Sequence, residues 1–293
     1  MPERAQLAEL ERSVGEALAT GRTSGLRLLG AGEISLVLGW PTDYPAWACK
    51  RLPPFPSRSA ADGFEAIAHR YIDALAARGV EVVETSVDRV ERTDGTIVMY
   101  CTQPVLGAET MACQIVRSGG READDLLRQI VDRAVVAVAD GRVGLDAQFS
   151  NWANTERRLV YFYLTTPLLR DATGRSELDS DLFLAYLPWL LRRPVRRFVI
   201  PGLLDRYHDT RGVLMDLAAN LVKERLDSWI PSVLETANVH IAPPLTEAEV
   251  RADYRNDART WAALQAVRRA DRAWQQRIRR RTYPFLVPDR IQR

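Results

Sequence analysis

Gly144-Leu145-Asp146-Ala147-Gln148-Phe149-Ser150-Asn151-Trp152 follows a long amphipathic run and precedes a short apolar segment, and in it an aspartate stands five residues before an asparagine. Phosphoryl transfer to a hydroxyl uses such a pair. The carboxylate orients or accepts the hydroxyl proton, and one loop turn later the amide oxygen can hold a metal ion on nucleotide phosphates. The same spacing suits an Asx turn between a helix and a strand. Its meaning depends on whether the preceding chain supplies nucleotide-binding parts.

Residues 26–38 read as strand, turn, strand, with Gly30-Ala31-Gly32 at the turn. Two glycines there let backbone amides approach phosphate oxygens. Residues 46–52 read as a third strand, stopped by Pro53-Pro54, with Lys50 near its end. Of the 40 Lys plus Arg only Lys50 and Lys223 are lysine, leaving 38 arginines. Where so Arg-biased a chain keeps lysine, a compact ammonium is favoured over a planar fork. Residues 62–78 carry a helical stripe of Phe64, Ile67, Ala68, Tyr71, Ile72 and Leu75 before Gly79, which places Glu65 and His69 one turn apart as possible partners of Lys50. Val80-Glu81-Val82-Val83 and residues 96–101 alternate as strands around Asp94-Gly95. Gln103-Pro104-Val105-Leu106-Gly107 has linker punctuation, and a bound nucleotide would present its base edge to this backbone.

The length of 293 residues favours two lobes, and 46% hydrophobic with 27% charged residues is the composition of a soluble globular protein. Apolar runs fall short of a membrane span and residues 1–21 lack a signal-peptide core, so a cytoplasmic protein is expected. Cys49, Cys101 and Cys113 are widely spaced and histidines number three, which suggests neither a disulfide framework nor a zinc cluster. A net charge of +2 gives no reason to expect nucleic acid.

The expected layout is α+β. An N-terminal helix (1–25, with Leu7, Leu10, Val14 and Leu18 on one side) precedes a small lobe of five antiparallel strands and one main helix (26–102), a hinge (103–107), and a mostly helical lobe (108–293) with loop 143–152. In that second lobe residues 121–140 read as a buried helix and residues 159–164 as a strand. Helices are expected over 182–191, 212–229 and 247–281, the first two joined through 194–201, with Thr246 and Glu249 as a capping box. Arg268, Arg269, Arg272, Arg277, Arg279, Arg280 and Arg281 with Trp261, Trp274 and Tyr283 form either a surface for an acidic or phosphate-rich protein partner or a solvated helix face. His208 and His240 read as packing or surface residues.

The order of parts from about residue 26 to 167 resembles the protein-kinase-like superfamily, in its aminoglycoside-phosphotransferase-like branch. The resemblance implies a bilobal fold in which Asp146 is the catalytic base, Asn151 a magnesium ligand, Lys50 the contact to ATP phosphates and Glu65 its ion-pair partner. The sequence departs from the family at Gly144, where a histidine is usual, and at Tyr163, where a metal-binding aspartate is usual. A phenol is a poor magnesium ligand, its pKa being about 10. Either metal binding is rebuilt, with Asp171 the nearest downstream carboxylate, or the chain is a nucleotide- or peptide-binding relative without phosphotransfer. In the first case it is an ATP- and Mg2+-dependent transferase acting on a hydroxyl of a small molecule or a biosynthetic peptide.

Overall fold

A computed structural model describes residues 1–20, 22–31, 36–179, 184 and 189–277. Five antiparallel strands, β1 (Arg27–Ala31), β2 (Leu36–Trp40), β3 (Trp47–Arg51), β4 (Ser86–Glu91) and β5 (Ile97–Pro104), form a sheet in the order β1-β2-β3-β5-β4. The chain is α+β, as expected, but one of the five strands is not where the sequence reading put it. Residues 80–83 do not join the sheet. Instead the Val83 amide donates to the Tyr161 carbonyl and the Tyr161 amide to that of Glu81, which ties this segment to the far half of the molecule. The place in the sheet is taken by β4, whose hairpin with β5 turns at Asp94-Gly95, where Gly95 has φ 78°.

Helices cover both faces of this sheet. Helix α1 (Arg4–Thr20) lays Leu7, Leu10, Val14 and Ala17 on Leu38, Cys49, Val90, Val98 and Tyr100. Helix α2 (Arg58–Ala77), started by the Ser57 side chain accepting from the Ala60 amide, buries Phe64, Ile67, Tyr71 and Leu75 against the other face. That is why β5 is buried at nearly every position rather than at alternate ones. The N-terminal helix thus packs on the sheet, and α2 is the one helix among the described residues of 26–102.

Strand alternation then sorts β3: Cys49 and Arg51 face α1, and Lys50 faces the opposite side with Cys101, its partner in register. Arg51 and Glu11 of α1 form a bidentate pair at 2.7 and 2.8 Å, 5% and 3% exposed, with the Tyr100 hydroxyl donating to the same carboxylate at 2.6 Å.

The other half holds α3 (Ala112–Ser118), α4 (Arg121–Val138), the hairpin β6 (Trp152–Thr155) with β7 (Arg158–Tyr161), and α5 (Trp189–Phe198), α6 (Ile200–Arg206), α7 (Thr210–Lys223), α8 (Ile230–Ala237) and α9 (Glu247–Arg277). The joint expected across 194–201 narrows to Val199, with Pro194 inside α5 and Pro201 in the first turn of α6, where a missing N–H costs nothing. Likewise the helix expected over 212–229 stops at Lys223 and restarts as α8. The capping box is formed: the Glu249 amide donates to Thr246 Oγ1 and the Thr246 amide to Glu249 Oε2. One core runs from Leu52 and Phe64 through Leu127, Trp152 and Leu217 to Val250, joining the α2 face of the sheet to the helices. Among the described residues no helix is long and apolar enough to cross a membrane.

Candidate functional site

The loop between α4 and β6 is buried and held by its own polar groups. Asn151 Nδ2 donates to the Asp146 carbonyl at 3.0 Å, Trp152 Nε1 to that of Ala147 at 3.2 Å, and the Gln148 amide to Asp146 Oδ1 at 3.4 Å. From α2, the Tyr71 hydroxyl donates to the Gly144 carbonyl at 2.9 Å. Tyr71 and Tyr161 are both raised above the ordinary phenol range, by burial first; the charge of Asp146 comes next for Tyr71, and for Tyr161 it follows the effect of Tyr71. Both buried phenols therefore feel the charge of Asp146.

Gly144, where the resemblance leads one to expect a histidine, is filled from elsewhere. An added Cβ would lie 2.9 Å from Leu168 Cβ and 3.0 Å from the His208 imidazole. His208, which follows α6, is buried, and burial pushes its pKa down to about 4, so it packs as the neutral ring. It is a packing residue, as expected, but one that supports the loop.

Lys50 meets the loop through Phe162. Its Nζ donates to the Phe162 carbonyl at 2.5 Å and lies 5.0 Å from the Phe162 ring and 5.9 Å from the Tyr163 ring, while the Phe162 amide donates to the Asn151 carbonyl at 3.1 Å. Lys50 is 7% exposed, and burial lowers its pKa to about 8. The expected ion pair with Glu65 is not formed. Glu65 follows the buried Phe64 by one position, so it points off the flank of α2 and binds Arg89 of β4 at 2.5 Å, while Asp62 binds the same guanidinium. His69 is exposed.

The hinge reading changes too. Strand β5 extends through Pro104, and the Val105 amide continues the ladder by donating to the Ala46 carbonyl at 2.9 Å, so it is already engaged and not open to a base edge. Gln103 turns inward, its Nε2 donating to Thr85 Oγ1 at 2.9 Å and to the Phe162 carbonyl at 3.1 Å. Gly30 and Ala31 lie in β1, paired with Val37 and Leu36, and Gly32 lies outside the described residues.

The donor set does not fit magnesium as the resemblance implies it. Asn151 stands at the loop, but the Tyr163 hydroxyl pairs with Thr166 Oγ1 at 3.1 Å, and Asp171 accepts from the Thr173 amide and hydroxyl and the Arg175 amide of its own turn. Asp171 is thus a turn-capping residue rather than a substitute ligand. Among the described residues no three His, Cys, Asp or Glu gather to hold a metal ion. In α9 the side chains of Trp261, Arg268, Arg269, Arg272, Trp274 and Arg277 lie outside the described residues, as do Arg279, Arg280, Arg281 and Tyr283.

The chain belongs to the family described as "Family of unknown function (DUF6206)", whose sequence model matches residues 9–272. No curated protein matches it. Among solved structures, the kinase domain of Mycobacterium tuberculosis PknI aligns with 74% of this chain and 96% of its own length at 17% identity, with a TM-score of 0.30. A mutant of that domain aligns over the same shares at 18% identity and a TM-score of 0.29. Overlap at that level does not bear on function.

Proposed function

We propose that this chain is a phosphotransferase of bilobal, kinase-like architecture that moves the terminal phosphoryl group of ATP to a hydroxyl of a small molecule or a biosynthetic peptide. The observation that carries the reading is the Phe162 joint: Lys50 binds the Phe162 carbonyl and Asn151 the Phe162 amide, so the ammonium of the sheet and the acid-amide loop share one seam. In this reading Lys50 holds a phosphate oxygen. The acceptor oxygen attacks the terminal phosphorus, the bond to the ADP oxygen breaks, and Asp146 takes the acceptor proton. No step is assigned to a metal ion.

The test is calorimetric titration with ATP together with ADP formation in wild type, Asp146→Ala and Lys50→Met. Binding kept and ADP formation lost in Asp146→Ala supports the reading, and unchanged ADP formation in that variant removes it. A second reading, a nucleotide- or peptide-binding partner without transfer, is favoured by the Tyr163 hydroxyl pairing with Thr166 where a metal-binding carboxylate would be needed. Thermal stabilisation by ATP with no ADP formation in the wild type selects it.

A further inference from the structure

The arginine bias that draws attention to Lys50 applies equally to Lys223, and the fold brings Lys223 to the same loop that Lys50 meets through Phe162. Lys223 closes α7, where a lysine could serve the helix dipole from solvent. It turns inward instead and is half-buried, its Nζ donating to Gln148 Oε1 at 3.4 Å. Gln148 lies two residues from Asp146, and its own Nε2 reaches Asp216 Oδ2 at 3.4 Å.

Two carboxylates near Lys223, Asp216 and Glu224, feel its charge. Asp216 binds Arg206 at 3.1 Å and Asn220 Nδ2 at 3.2 Å. Glu224 is largely buried, and that burial raises its pKa against the lowering effects of Ser150 and Lys223. Arg117 is occupied by the Glu224 carbonyl at 2.9 Å and by Gln114. Among the described residues Lys223 makes no ion pair within 4 Å, and its one hydrogen bond is long and goes to a neutral amide. An ammonium has three donors. Two are left to a ligand at the edge of the loop.

We propose that Lys223, positioned by Gln148, is the subsite for an anionic group on the acceptor, a phosphate or a carboxylate, held at the Asp146 loop. The inference rests on the Asp146 loop being the transfer site, as proposed above. A rotatable point charge suits an anion whose orientation is set by the hydroxyl being presented, whereas a guanidinium fork would dictate that orientation itself.

Inorganic phosphate and acetate, titrated separately into the full chain at constant ionic strength and read by thermal unfolding, test this directly. Binding of either anion that weakens about tenfold or more in Lys223→Met, as loss of a charge-assisted hydrogen bond requires, supports the subsite. The stronger of the two anions names the acceptor group. Lys223→Gln, which keeps a polar side chain at the helix end, must show the same loss if Lys223→Met folds poorly. Equal anion affinity in wild type and both variants overturns the proposal, as does absence of binding by both anions in wild type. ATP affinity in the Lys223 variants separates the two readings: ATP bound normally with anion binding lost keeps both, and anion binding dependent on Lys223 in a chain that ignores ATP overturns the phosphotransferase and the acceptor role together, leaving only an anion site at Lys223.

Discussion

Lys50 carries a charge into a place water scarcely reaches, and its ammonium is held by a carbonyl and two aromatic rings rather than by a carboxylate. Its pKa near 8 in the fold, against an ordinary 10.5, means that the unfolded chain holds the proton more tightly across that interval. Stability therefore rises with pH between about 8 and 10.5, and the cost of burying the charged form is fully present below about 8. Urea unfolding of wild type and Lys50→Met from pH 7.5 to 10 is expected to show wild type gaining on the variant, by up to about 3 kcal/mol. A constant difference would place the ammonium in water. Glu65→Ala is expected to cost under about 1 kcal/mol, because the pair it breaks with Arg89 is partly exposed. It is also expected to leave the Lys50 pH dependence unchanged, and a shift in that dependence would restore the ion pair. Gly144→Ala drives a methyl into Leu168 and His208, so a loss of about 1–3 kcal/mol by thermal unfolding is expected.

At the scale of elements, α1 is held to β3 by one buried charge pair at the centre of an apolar contact. Glu11→Ala leaves the Arg51 guanidinium buried without its carboxylate, and the expected loss is about 3–5 kcal/mol. Denaturant unfolding measures this, and a loss below about 1 kcal/mol would mean that water reaches Arg51. Lys50 and Arg51 are successive residues pointing to opposite faces, so the register that seats α1 also aims the ammonium at Phe162. The pairing of residues 80–83 with β7 shows the same logic. Val-Glu-Val-Val has strand character by composition, but its hydrogen bonds go to Tyr161, and β4 takes the place beside β5.

At the scale of the whole molecule, the sheet and the helical half meet along one seam made by Tyr71 to Gly144, Lys50 and Gln103 to Phe162, and Val83 to Tyr161, over a continuous core. The two halves are accordingly expected to open together. In native-state hydrogen exchange the Val83 and Tyr161 amides are expected to share the opening free energy of the β5 amides Met99 and Cys101. Seam amides that exchange several kcal/mol more easily than β5 would show two independently opening lobes.

By themselves the residues determined what depends on neighbours in sequence. Hydrophobic spacing marked α1, α2 and α4, the Asp94-Gly95 turn and the Thr246 cap were legible, and the bias toward arginine singled out two lysines before any fold was known. Only the tertiary structure decided which side chain meets which. Glu65 went to Arg89, Val105 to Ala46, Asp171 to its own turn, and His208 came from a distant helix end to fill the space at Gly144. Spacing along the chain sets the face of a helix or strand on which a residue sits. The charge opposite that face arrives from another part of the sequence, and its identity is fixed only when the elements pack.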